Sequence, residues 1–181
     1  MRPYMGERAV TIWITGLSGA GKTTLSHALA ARFRELGKPV QVLDGDVVRK
    51  VISSELGFTK ADRDMQVRRL GYIAGLLTQH GVTAIVAAIS PYLSSRYAVR
   101  AELQPFVEVY CECPLDVLEQ RDPKGLYKRA RLGELTAFTG ISDPYEPPLN
   151  PEVIAHTGQE SVEQSTESVR RMLMNLGHID R

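Results

Sequence analysis

Apolar residues recur along this chain in two rhythms. Short runs rich in β-branched and aromatic residues, over 10–14, 40–43, 83–89 and 106–111, predict strands. The run over 83–89 is apolar almost throughout, as expected of a strand covered on both faces. Between these runs the apolar positions fall three, four and seven apart. Leu25, Ala28, Leu29, Phe33 and Leu36 mark one face of a helix over 23–36. Val67, Leu70, Ile73, Ala74 and Leu77 mark a longer helix over 59–80, and Val162, Val169, Met172, Leu173 and Leu176 a closing helix over 161–176. Shorter helices are predicted over 47–55, over 92–103 and from Pro114 to about Arg121, with a fifth short strand over 152–155. Stop and start signals agree: Gly37 and Pro39 end the first helix, and Thr59 with Asp62 makes a variant capping box. Strands alternating with helices imply βαβ units and right-handed crossovers within a parallel sheet.

The first strand runs into Gly16-Leu17-Ser18-Gly19-Ala20-Gly21-Lys22-Thr23-Thr24, which fits the phosphate-loop pattern G-x-x-x-x-G-K-[ST]. A phosphate chain needs several donors aimed at one point. Gly16, Gly19 and Gly21 let the backbone bend so that successive N–H groups face inward, and the helix start adds its positive dipole end. Lys22 reaches the β- and γ-phosphates in such a loop, and the Thr23 hydroxyl ligates Mg²⁺. The fold class that follows is α/β: a three-layer P-loop NTPase domain with a mostly parallel five-stranded sheet.

Composition adds little to this and excludes much. Net charge is +1, so no bulk field argues for nucleic acid or a membrane surface, and any basic site is local. No apolar run approaches the ~20 residues of a membrane span. The stretch 1–8 holds no apolar signal-peptide core, and a cytoplasmic protein is expected. No repeat or linker divides 1–181, which is read as a single domain. Cys111 and Cys113, the two cysteines, sit two apart on a predicted strand and read as small buried hydrophobes.

Local charge is more telling. The second strand ends at Asp44-Gly45-Asp46, which puts two carboxylates at the sheet edge where open parallel sheets bind ligands. Arg49 follows on a short helix, and Arg63, Arg68 and Arg69 stand near the start of the long one, against its dipole, as an anionic ligand would require. From Arg121 the chain turns densely basic, with Lys124, Lys128, Arg129 and Arg131, and then rich in proline up to Pro151. A stretch of this length and composition, about 122–150, reads as a basic lid over a phosphate site. The short chain, the lid and the absence of an Asn-Lys-x-Asp motif at a strand end favour a small-molecule kinase over a switch GTPase or motor ATPase. Mg²⁺ would be held by Thr23 with help from a carboxylate, and Asp46 could instead take the proton of an attacking hydroxyl. Sequence alone does not divide these roles between Asp44 and Asp46.

The chain over 10–151 resembles the adenylyl-sulfate kinases, which phosphorylate the ribose 3′-hydroxyl of adenosine 5′-phosphosulfate with MgATP. Beyond the phosphate loop the resemblance rests on Leu43-Asp44-Gly45-Asp46 with Arg49, Leu56-Gly57-Phe58 with Asp62-Arg63 and Arg68-Arg69, and Ile89-Ser90-Pro91-Tyr92. It continues in Gln120 to Lys128, Phe138-Thr139-Gly140-Ile141 and Asp143-Pro144-Tyr145-Glu146. It implies that Asp46 is the general base or the Mg²⁺-organising aspartate. It implies that Arg49 and Arg63 hold the phosphosulfate, that Phe58 and Phe138 sandwich the substrate adenine, and that Gln66, Ile89, Ser90 and Pro91 line its site. Lys124, Leu126 and Lys128 match the lid, and Arg121 and Thr157 are candidates for contact with the ATP adenine. Ser90 is a further catalytic candidate by resemblance, although no histidine or other base adjoins it and in-line transfer needs no covalent intermediate. The resemblance also implies a homodimer, and any sulfurylase partner would be a separate polypeptide.

The chain departs from the family pattern where Met65 and Gln66 replace Glu-Asn and where Leu93 replaces an arginine. These changes fall on the acceptor side. They leave open a kinase for another small hydroxyl substrate, or a regulatory nucleotide-binding module.

Overall fold

Every predicted strand forms, within a residue or two, in a computed structural model that describes residues 9–180. The stretch 1–8, read above for a signal core, lies outside the described residues, as does Arg181. Five strands, β1 (Thr11–Thr15), β2 (Val40–Asp44), β3 (Thr83–Ala87), β4 (Phe106–Glu112) and β5 (Val153–His156), make one sheet in the order β2-β3-β1-β4-β5, with every pairing parallel. The strand that feeds the phosphate loop is therefore central, and its five residues are fully enclosed.

Alternation along the strands sorts side chains into two cores. Ile12, Ile14, Ile85, Val107, Val109 and Cys111 face α1 (Lys22–Glu35) and α7 (Val162–Asn175). Trp13, Ala84, Val86 and Phe106 face α3 (Lys60–Gln79) and α4 (Leu93–Glu102). Each large apolar side chain so buried contributes about 1.5–3 kcal/mol, so the central strand is held from both sides. Cys111 and Cys113 are buried on the same face and unpaired, as expected. Burial pushes the Cys111 thiol up to about 12, far from a reactive thiolate.

The local signals act as their chemistry dictates. Gly37 takes a left-handed conformation, and Lys38 and Gly37 return their N–H groups to Phe33 and Arg34, closing α1 in a Schellman motif. Thr59 and Asp62 form the reciprocal capping box of α3, and Ser161 with Gln164 forms a second at α7.

Two expectations need correction. The short helix expected over 47–55 starts earlier: α2 (Gly45–Ile52) follows β2 at once, so Asp44 becomes its N-cap and Asp46 lies in its first turn. The basic stretch, for which no element was predicted, holds a helix of its own. It follows α5 (Leu115–Arg121) and contains α6 (Leu126–Arg131), whose Tyr127 and Ala130 are buried. The dense charge around Tyr127 hid the two apolar positions, one turn apart, that pin this helix to the body.

The far face of β4 is handled differently from the rest. Glu108, Tyr110 and Glu112 point there in place of apolar residues; Tyr145 stacks on Tyr110, Glu108 is buried, and Glu112 is exposed and pairs with His156. Arg96, 1% exposed, pairs with Glu108 and spends its other donors on the carbonyls of Ser90 and Glu146. Such a buried pair adds little net stability but fixes one arrangement.

Candidate active site

The phosphate loop is shaped by how closely it passes the sheet. Gly16 has a φ of 149°, and a Cβ placed there would lie 2.6 Å from the carbonyl oxygen of Cys111, so only glycine fits. Gly21 caps α1 in a left-handed conformation, with no side chain bonded to the first N–H groups and no acid in the first turn. Unpaired N–H groups and an uncompensated helix dipole make this end an anion site. Lys22 curls over the loop, its ammonium donating to the Leu17 carbonyl at 2.7 Å. Burial, its largest cause, draws the Lys22 pKa down to about 8; Lys124 adds to this, while Cys111, Asp46 and Asp44 oppose it.

The Thr23 hydroxyl donates to one Asp44 oxygen at 2.8 Å, while the other accepts from the backbone N–H groups of Asp46 and Val47. Hydroxyl and carboxylate thus stand side by side at the mouth of the loop. Two hard oxygen donors suit Mg²⁺, which takes one or two protein ligands and completes its shell with phosphate and water. Among the described residues no larger cluster of metal-ligating side chains exists. Asp46 points elsewhere and meets Lys124 of the lid at 2.6 Å. Burial alone would raise its pKa, but the Lys124 bond and charge, with Lys22 and Lys50, hold the carboxyl below its ordinary range.

The acceptor-side candidates gather around the first turns of α2 and α3. Asp46 and Arg49 are one turn apart on α2 and so share a face. Arg49 donates to the Gly57 carbonyl at 2.8 Å and lies over the Phe58 ring at 5.1 Å. Phe58 is 59% exposed in its loop, which excludes a core role. Arg63 approaches the same ring at 5.7 Å but is 8% exposed, and its donors go to Phe58, Ala137, Thr139 and Asp143. In this conformation it ties the lid to α3 and is not free for an anion. Gln66, 6% exposed, donates to the Gly45 carbonyl at 3.2 Å, and its buried amide oxygen has no partner. Phe138 packs edge-on against Tyr127 at 5.1 Å.

The remaining candidates fall into place with less effect on chemistry. Arg121 donates to the Thr157 carbonyl at 2.9 Å, and Thr157 lies 3.9 Å from the Cβ position of Gly21, so both flank the loop. Ser18 offers its carbonyl to the Tyr127 hydroxyl, Leu17 packs against Gly140, and Ala20 is buried in the core. Thr24 is exposed on α1, and Leu126 opens α6. Ile89 accepts from the Thr15 hydroxyl and Pro91 from the Glu146 N–H. Ser90 is buried, and its hydroxyl accepts from the Trp13 indole at 3.0 Å, which makes it part of the scaffold and not an exposed nucleophile.

Much of the basic charge is paired with carboxylates of the same chain. Arg129 pairs with Glu134, Arg131 with Glu119 and Arg69 with Glu55, so in this conformation each has a carboxylate partner. Lys124 is the lid cation seen to meet a site carboxylate. Met65 lies exposed on the outer side of α3, away from Gln66, and Leu93 contributes its backbone N–H to Glu146. Arg96, Tyr127 and Tyr145 were missed as site-shaping residues. Tyr127 carried a readable signal, an aromatic inside a charge run; the other two depend on contacts over 50 residues or more.

Comparison with known proteins places this geometry. A family model described as adenylylsulphate kinase matches residues 8–156. The adenylyl-sulfate kinase of Gloeothece citriformis is 55% identical over 175 residues, covering 97% of this chain and 99% of the relative. A Mycobacterium tuberculosis APS kinase, solved in complex with AMPPNP and APS, superposes with a TM-score of 0.88 at 40% identity, covering 93% of this chain and 99% of that one. A hexameric APS kinase from Thiobacillus denitrificans has a TM-score of 0.73 at 36% identity; the match covers 96% of this chain but 30% of that longer one. The family model spans most of the chain and the relative matches nearly all of it, and the chain belongs to the adenylylsulphate kinase family.

Proposed function

We propose that this chain transfers the γ-phosphate of MgATP to the ribose 3′-hydroxyl of adenosine 5′-phosphosulfate, releasing ADP. The carrying observation is α2: its N-cap Asp44 stands beside Thr23 at the loop's mouth, its first turn carries Asp46, and Arg49 one turn on lies over the Phe58 ring. Donor and acceptor groups thus share one short helix.

Phosphoryl transfer is chiefly positioning and charge stabilisation. The N–H groups at the start of α1 and the Lys22 ammonium bind the β- and γ-phosphates. Thr23 and Asp44 would hold Mg²⁺, which neutralises charge on the phosphate oxygens. Phe58 and Phe138 offer ring faces to the substrate base, each stack being worth roughly 1–3 kcal/mol, and Arg49 faces the phosphosulfate. The 3′-oxygen bonds to the γ-phosphorus as the bond to the β–γ bridging oxygen breaks, and the hydroxyl proton passes to Asp46. The acceptor hydroxyl must displace Lys124 from Asp46. Lys124 is then free to meet the charge on the moving phosphoryl group, so one exchange of partners readies base and cation together.

The whole chain is read as one domain in which about 122–150 closes over both substrates. A homodimer in the cytoplasm, with any sulfurylase as a separate polypeptide, completes the proposal; light scattering tests the first of these. The deciding measurement is ADP release with MgATP, with and without adenosine phosphosulfate. Stimulation by that acceptor is expected, and none with ATP binding intact would overturn the proposal. The unpartnered oxygen of Gln66 supports a second reading, a kinase for another small hydroxyl acceptor. A panel of nucleosides and sugars in the same assay separates the two.

A further inference from the structure

Asp143-Pro144-Tyr145-Glu146 carries the chain out of the lid and back towards β5. Its polar side chains bond three different parts of the site. Asp143 pairs with Arg63 at 3.2 Å. The Tyr145 hydroxyl meets the Thr15 hydroxyl at 3.0 Å. Thr15 donates its own proton to the Ile89 carbonyl at 2.7 Å, so Tyr145 is the donor of the pair. Glu146 accepts from the Leu93 N–H through its carboxylate at 2.7 Å, donates its N–H to the Pro91 carbonyl and receives Arg96 on its own carbonyl.

These bonds stand where the sheet stops. The ladder between β1 and β3 ends with the Ala88 N–H on the Ile14 carbonyl. Beyond it the chain leaves β1 as the phosphate loop and leaves β3 as Ile89-Ser90-Pro91, and Ser90 sits at a φ of 40°, a conformation that side chains rarely adopt. Main-chain pairing no longer relates the two exits, and side chains must. We propose that Asp143, Tyr145 and Glu146 are positioning residues for phosphoryl transfer, a crossbar that fixes the acceptor-lining segment and Arg63 relative to the phosphate loop. This rests on the function proposed above. In-line attack needs reacting atoms about 3–3.5 Å apart, and a misplacement of about 1 Å costs on the order of a hundredfold. The crossbar touches neither phosphate nor base; it acts through Thr15, Arg63 and the start of α4.

The test compares Tyr145→Phe, Asp143→Ala and Glu146→Ala with Glu152→Gln. The last breaks an ion pair with Arg100 on the same side of the sheet but away from the site. Each crossbar variant should lower kcat/KM for adenosine phosphosulfate by about tenfold to a hundredfold, with affinity for a non-hydrolysable ATP analogue changed by less than about twofold. Glu146→Gln should recover most of the loss, because an amide oxygen still accepts from Leu93. Glu152→Gln should lower the melting temperature and leave the acceptor constants alone. Acceptor constants that stay at wild-type values, or that follow melting temperature along the line of Glu152→Gln, would overturn the crossbar. Amide exchange over 89–93 and 137–143 gives a readout free of the reaction: faster exchange in Tyr145→Phe and Asp143→Ala supports the crossbar, and unchanged exchange refutes it. A wild-type protein that ignores adenosine phosphosulfate would refute the functional reading alone and leave the exchange test standing.

Discussion

Lys22 shows what a binding residue costs the empty fold. An ammonium held among protein atoms loses hydration, and its pKa falls from 10.5 to about 8. The folded form then binds fewer protons on this group than the unfolded form between those two values. Stability gains from Lys22 therefore rise as pH climbs from about 8 to 10.5, and below that window the buried charge is a constant penalty. Lys22→Met should remove turnover yet stabilise the nucleotide-free protein at neutral pH by ~2 kcal/mol, discounted for the side chain's partial exposure. Calorimetry without nucleotide should show a melting temperature raised by roughly 4–8 °C. Asp46 has the opposite sign. Its folded pKa lies below the ordinary value, so its contribution is present above the unfolded pKa and fades as pH falls through the folded one. Removing the partner by Lys124→Ala should let the carboxyl rise, and the acid limb of the kcat/KM profile should move to higher pH.

At the scale of elements, the site is an arrangement of helix starts. The start of α1 is left uncapped for phosphate, while Asp44 caps α2 and Thr59 caps α3. Capping fixes where each helix begins, and hence where Asp46, Arg49 and Arg63 stand in its first turns. Thr59→Ala removes a bond at the residue next to Phe58. It should cost about 1 kcal/mol in denaturant unfolding and weaken acceptor binding more than ATP binding. Much of this scale was legible beforehand, because the capping box at Thr59 and the glycine stop at Gly37 are local signals. The start of α2 was not legible. The expected helix began at 47, whereas Asp44 bonding the N–H groups of Asp46 and Val47 drew Gly45 and Asp46 into it.

For the whole molecule, the central strand decides the outcome. Loop and sheet meet at Gly16, where a methyl group has no room beside the Cys111 carbonyl. Gly16→Ala should push the loop from β4 and abolish the melting-temperature shift given by MgATP, which thermal scans with and without nucleotide would reveal. The sequence by itself determined the α/β class, the parallel sheet and the phosphate loop, and it singled out Arg49, Phe58 and Arg63, which the structure brings together. Periodicity, caps and motif spacing are local properties, and they survive being read one window at a time. Only the tertiary structure decided that Lys124 engages Asp46, that Arg63 is spent on the lid, and that Arg96, Tyr145 and Glu146 brace the site. Those contacts join residues 50 to 130 positions apart, and each depends on which face of the sheet its partner reaches. A single chain carries no such signal until the sheet order β2-β3-β1-β4-β5 brings the two sides together.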